Sequence, residues 1–139
     1  MNLQNVRRKP WLVDVLPGVG RGTCHAVYPN IYLARSVYKS VTSNEPDPYS
    51  EAVVIHEQEH LKRMKAYGVA KWYVRYLLSR KFRLAEELAA SKPQLGHIKN
   101  KKLTFNLERK ARVLSGWLYL WPASYESVLK NLNEAWESL

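Results

Sequence analysis

The segment His56-Glu57-Gln58-Glu59-His60 sets two imidazoles four residues apart, with a carboxylate next to the first. In a helix, that spacing puts both rings one turn apart on a single face, where they can converge on one ion. Glu57 lies three residues before His60, close enough to that face for its carboxylate to reach a water on the ion. Two neutral imidazole nitrogens suit zinc, and one further protein ligand leaves a fourth position for solvent. The chemistry this predicts is hydrolysis: activated water attacks a carbonyl, and Glu57 as general base carries its proton to a leaving amine.

A third ligand is expected downstream, and three residues offer themselves: Glu86, Glu87 and His97. The two glutamates fall in Arg83-Leu84-Ala85-Glu86-Glu87-Leu88-Ala89-Ala90, a strong helix former whose small residues allow close approach to the metal-bearing helix. His97 follows Pro93 and Gly96, which predicts a loop, a less rigid base for a ligand. Glu87 is the first choice and Glu86 the reserve. Tyr73, Tyr76 and His97 are candidates to stabilise an oxyanion, although aromatics at helical spacing more often serve packing.

These side chains need elements to hold them. Ser43-Asn44-Glu45-Pro46-Asp47-Pro48 reads as a loop, after which Pro48 and Ser50 open a helix. Ser50 is expected as its N-cap with Glu51 near its positive end, and Gly68 closes it after Lys65 or Tyr67. Further helices are expected over 70–79, with Trp72, Tyr73, Tyr76 and Leu77 inward, and over 82–90, stopping before Pro93. Two more cover 106–115 and 124–139. The first fifty residues read as loop and strand, with β-branched and aromatic residues recurring from Thr23 to Leu33 and Pro29 marking an edge or bulge. Gly18, Gly20 and Gly22 lack the strand and helix that a phosphate cradle requires and read as a loop.

With 139 residues, one domain is expected: loop and strands over 1–48, metal-binding helices over 49–91, and a basic helical part over 92–139. A 46% hydrophobic and 24% charged composition fits a globular chain, and no apolar run is long enough to span a membrane or act as a signal peptide. Cys24 is the one cysteine, so no internal disulfide supports the fold. Cys24-His25 lacks a second ligand pair and reads as strand. Lys and Arg number 22 against 12 Asp and Glu, and the surplus is dense from Lys92 to Arg112. Such a surplus attracts polyanions, meaning nucleic acid, anionic lipid or an acidic protein surface, and the Lys92–Arg112 stretch is the candidate contact for nucleic acid or an acidic protein. The aromatics Trp117, Tyr119, Trp121, Tyr125 and Trp136 are expected to pack the C-terminal helices, with a stacking surface as the alternative.

The run His56-Glu57-x-x-His60, then Gly68, an aromatic helix (Trp72, Tyr73, Tyr76), Arg83 and Glu87-x-x-Ala90 resembles the small zincin-type metallopeptidases. The gluzincin arrangement is nearest, including compact versions encoded in bacterial and phage genomes. The resemblance covers residues 23–90 and implies an α+β fold, with a small twisted sheet over the active-site helix. It further implies His56, His60 and Glu87 as zinc ligands, Glu57 as base, a peptide or protein substrate, and a Thr23–Leu33 edge strand that takes an extended peptide. Ser91 stands where some relatives carry an Asp that supports the site. The location implied is the bacterial cytoplasm or a phage virion. The alternative is a zincin-fold protein without turnover, a virion component or a basic nucleic-acid-associated protein, in which zinc would contribute only folding stability.

Overall fold

A computed structural model of the chain describes residues 3–10 and 23–139. The Gly18–Gly22 run lies outside the described residues. The described part is α+β. Three short strands, β1 (Val6–Arg8), β2 (His25–Val27) and β3 (Asn30–Leu33), form one mixed sheet in the order β1-β3-β2. β1 runs parallel to β3 with Val6 opposite Ile31, and β2 runs antiparallel with His25 opposite Tyr32. Alternation along β3 buries Ile31 and Leu33 on one face.

Two expectations for this region are corrected. Pro29 sits in the turn between β2 and β3, so the Thr23–Leu33 segment is a hairpin, of which β2 lies at one edge of the sheet and β3 at its centre. Residues Arg35–Val41, read as loop and strand, form a helix, α1. Its valines favour strand locally, but burying Val41 against Val6, Ile31, Leu33 and Val54 outweighs that preference.

The HExxH helix, α2, spans Pro48–Tyr67. Asp47 caps it in place of Ser50: the Ser50 N–H and hydroxyl both donate to Asp47 Oδ2, at 2.9 and 3.0 Å. Pro48 takes the first helical position, where its missing N–H costs nothing. Gly68 ends the helix at φ 94, a value that penalises any side chain, and turns the chain into α3 (Val69–Leu78).

The largest departure is α4. It runs unbroken over Arg80–Asn100 with Pro93 inside it, instead of stopping near Ala90, and it crosses the division expected after position 91. Pro93 deprives one carbonyl of its donor, yet the helix continues because Leu95 and Ile98 are fully buried beyond it. The hairpin of α5 (Leu107–Leu114) and α6 (Tyr125–Glu137), joined through a 3₁₀ turn at Trp117–Tyr119, packs against α4. Leu95, Ala111, Leu114, Val128 and Leu132 form that core. α2 lies between the sheet and α4, so its two imidazoles face α4 from beneath β2.

Candidate metal centre

Helix α2 presents His56 and His60 one turn apart, and α4 presents Glu87 opposite them. These residues are 6%, 6% and 2% exposed respectively. His56 Nε2 lies 3.4 Å from Glu87 Oε2, and His60 Nε2 lies 3.5 Å from Glu87 Oε1. One nitrogen from each ring and one carboxylate oxygen fall within 4.8 Å of one another. The rings meet edge to face with centroids 4.8 Å apart.

Three buried atoms here have no hydrogen-bond partner: Nδ1 of both histidines and Oε2 of Glu87. An uncompensated carboxylate oxygen in the interior is costly, so this donor set fits a cation that would occupy the space between the three side chains. The other oxygen is held. Tyr76 on α3 donates its hydroxyl hydrogen to Glu87 Oε1, which fixes the carboxylate's orientation. Ser91, fully buried, donates to the Glu87 backbone carbonyl at 2.6 Å.

Electrostatics separate the two imidazoles. Burial, reinforced by the Lys110 charge, lowers the His56 pKa to about 4, so this ring is neutral at physiological pH, as a ligand must be. Burial also acts to lower His60, but the Glu87 carboxylate outweighs it and the net shift is upward. Glu87 itself would rise through burial, yet the imidazoles, His60 foremost, hold it far below the ordinary carboxylate range. Without a cation, the Glu87 carboxylate therefore favours the protonated form of His60.

Glu57 is buried in the same place. Burial raises its carboxyl to about 7, with the Glu87 charge adding and His60, Lys110 and the Ala26 N–H opposing. A carboxyl poised there can take and return a proton near neutrality. Ala26 N–H on the β2 edge is directed at Glu57, and Tyr28 N–H in the turn after it donates to the Tyr73 hydroxyl at 3.2 Å, so both donors are already engaged. An extended peptide would have to find its pairing elsewhere on that edge.

Around the group opens a cavity of about 530 Å³, walled by β2, α2, α3, α4 and the α5 region. Neither the glutamate held in reserve nor His97 belongs to the triad. Glu86 turns away to accept from Arg63 Nε at 2.8 Å and Nη2 at 2.7 Å, and from Trp72 Nε1 at 2.8 Å. It ties α2, α3 and α4 together, and its partners are not the Lys81, Arg83 or Lys92 nearby in sequence. His97 lies on α4 and not in a loop, and pairs with Glu51 at 3.2 Å. Cys24 borders the cavity, with burial raising its thiol to about 11 and Ala34 N–H donating to its sulfur at 3.4 Å. The His25 ring shares a hydrogen bond with the Thr23 hydroxyl at 3.1 Å.

No protein-family model, curated protein or solved structure matches this chain. What the site can do therefore rests on its own geometry.

Lys110 is the residue that reading for motifs passes over. It belongs to the basic stretch, yet its ammonium points into the cavity and donates to Gln94 Oε1 at 2.7 Å. Burial brings its pKa down to about 8, against the pull of Glu87 and Glu57. The signal was present: Leu107, Lys110, Ala111 and Leu114 follow the i, i+3, i+4, i+7 spacing of a buried stripe, and a lysine in that stripe is anomalous. The Lys92–Arg112 stretch is consequently no single surface, since Lys99 also turns inward to donate to the Trp136 carbonyl at 2.8 Å. Tyr119 borders the cavity too, its hydroxyl raised well above the ordinary range by burial and then by Glu87 and Glu57.

Proposed function

We propose that the protein is a zinc-dependent hydrolase of the zincin type, with a peptide or protein as substrate. The observation that carries this reading is the buried His56-His60-Glu87 triad with an unpartnered carboxylate oxygen, beside a second buried carboxyl, that of Glu57, raised to about 7. Two imidazole nitrogens and one carboxylate oxygen are the donor set of catalytic zinc sites with one position left for solvent. A small sheet whose edge lies across from the HExxH helix supports the zincin likeness.

When bound, zinc supplies Lewis acidity, which acidifies a water and polarises a carbonyl. This chain's own residues do the rest. Glu57 accepts the proton of the attacking water and returns it to the amine as the C–N bond breaks. The Lys110 ammonium, held by Gln94, offers positive charge to the carbonyl oxygen as it gains negative charge. Tyr76 keeps Glu87 from rotating away from the histidines.

The deciding experiment is elemental analysis of protein purified without chelators, paired with hydrolysis of a denatured protein substrate. One zinc per chain and activity lost in Glu57→Gln are expected. Metal-free protein, or activity untouched by that substitution, overturns the reading.

A further inference from the structure

The mouth of the cavity lies in an apolar surface. Leu77, Val113 and Leu118 line the cavity and are also exposed, so they form its rim. Beyond them, Val74 and Leu78 project from α3, with Leu78 81% exposed, and Trp117, Leu120 and Trp121 project from the turn after α5, the two tryptophans 53% and 60% exposed. Arg83 binds these two strips together: its Nε donates to the Tyr119 carbonyl at 2.8 Å, and its Nη1 donates to the carbonyls of Tyr76 and Leu77. A fully buried arginine is thus spent on holding the end of α3 beside the 117–121 turn. That turn is also strained. Leu120 and Trp121 take φ 56 and 44, left-handed values that cost a residue with a side chain about 1 kcal/mol or more. The left-handed pair closes the 3₁₀ turn, with Leu120 N–H donating to the Trp117 carbonyl at 2.9 Å and Trp121 N–H to the Gly116 carbonyl at 3.1 Å, and it leaves both side chains at the surface.

Charge indicates what the surface meets. Residues 60–85, which include α3, contain eight Lys and Arg and no Asp or Glu, and residues 109–125, which include the turn, contain no acidic residue either. The chain's acidic residues are all placed outside the two segments that carry the exposed apolar side chains. Lys71 on α3 and Arg80 and Lys81 just after it are exposed, whereas the exposed Arg75 is engaged by the Tyr67 hydroxyl and the Phe82 ring. Tryptophan and leucine tips ringed by lysine and arginine are the chemistry of a protein that rests on a bilayer without crossing it. Among the described residues no helix is long and apolar enough to cross a membrane, so the contact would be superficial.

We propose that this face docks on an anionic phospholipid bilayer, with the tryptophans and Leu78 in the headgroup region and the flanking cations on the lipid phosphates. Docking turns the cavity mouth toward the membrane surface and favours substrates held there. The contact depends on surface side chains alone, so its test is independent of whether the protein hydrolyses anything.

The test is co-sedimentation of the full chain with vesicles of phosphatidylglycerol and phosphatidylethanolamine, compared with phosphatidylcholine vesicles, while tryptophan emission is recorded. Binding to the anionic vesicles, a blue shift of emission, and weakening as salt rises from about 0.1 to 1 M are expected. The substitution Leu78→Ser/Trp117→Ser/Trp121→Ser should weaken binding at least ~tenfold and abolish the shift. Lys71→Gln and Lys81→Gln should each weaken it about fivefold. Glu57→Gln should leave it unchanged. Failure to bind anionic vesicles, equal binding by the triple variant, or burial of these tryptophans in a self-associated form that vesicles do not dissociate would each overturn the proposal.

Discussion

Tyr76 donates to one oxygen of Glu87 while the other oxygen, 3.4 Å from His56 Nε2, has no hydrogen-bond partner. A carboxylate held on one side and bare on the other is poised for a ligand. The adjacent Glu86 is the opposite case, with Arg63 and Trp72 satisfying it. Neighbours in sequence thus have separate tasks, and that contrast is open to test.

Replacing Glu87 with Ala should abolish stoichiometric zinc binding and also lower the stability of the metal-free chain, because it strands the Tyr76 hydroxyl and removes the carboxylate opposite His60. Replacing Glu86 with Ala should keep one zinc per chain and cost about 2–4 kcal/mol of stability, since it strands Arg63 and Trp72. Elemental analysis and denaturant titration of both variants check the assignment. Equal zinc loss in both would contradict it.

Metal uptake should release a proton. The Glu87 carboxylate shifts the His60 pKa upward, so a proton on that imidazole competes with a cation for the site. Apparent zinc affinity should therefore climb as pH rises through the His60 pKa, and then level off. Calorimetry in buffers of different ionisation enthalpy should report proton release that declines as pH rises. A pH-independent affinity would show that the imidazole was already free.

Glu57 makes a signed prediction for stability. Its carboxyl rises from 4.5 to about 7 on folding, so the unfolded chain gives up this proton first. The folded state is then progressively penalised as pH climbs from about 4.5 to about 7, and the penalty is complete above that. In metal-free protein, Glu57→Gln should raise Tm by a few degrees at about pH 8 and leave it unchanged at about pH 4. In zinc-loaded protein the same change should lower hydrolysis by ~10²-fold or more without loss of metal.

Lys110 should matter to turnover and not to zinc. Lys110→Met should reduce kcat by ~10–100-fold with zinc content intact, and Lys110→Arg should recover part of it. Because the ammonium deprotonates near 8, the alkaline limb of the wild-type rate profile should fall in that region and vanish in Lys110→Met. An unchanged profile would exclude the lysine from the reaction.

Local chemistry made much of this molecule readable. Apolar spacing from Val53 to Met64 and the Gly68 stop marked out α2, whose ends are Pro48 and Tyr67. The four-residue interval of the histidines put them on one face, and small residues beside Glu87 pointed to the helix that faces them. All of these are interactions within a turn or two of chain, which a sequence displays directly.

Tertiary packing decided what local preference could not. Pro93 should have ended a helix, but the burial of Leu95 and Ile98 carries α4 through it, and His97 consequently lies on a helix paired with Glu51. Arg35–Val41 became helical because Val41 had a core to enter. The difference between Glu86 and Glu87 depends on Arg63, Trp72 and Tyr76, all contributed by other helices, and Lys110 reaches the cavity only because α5 folds back over α4. Spacing along a chain sets which side chains share a face, but what that face meets is determined by burial energy summed over segments far apart in sequence.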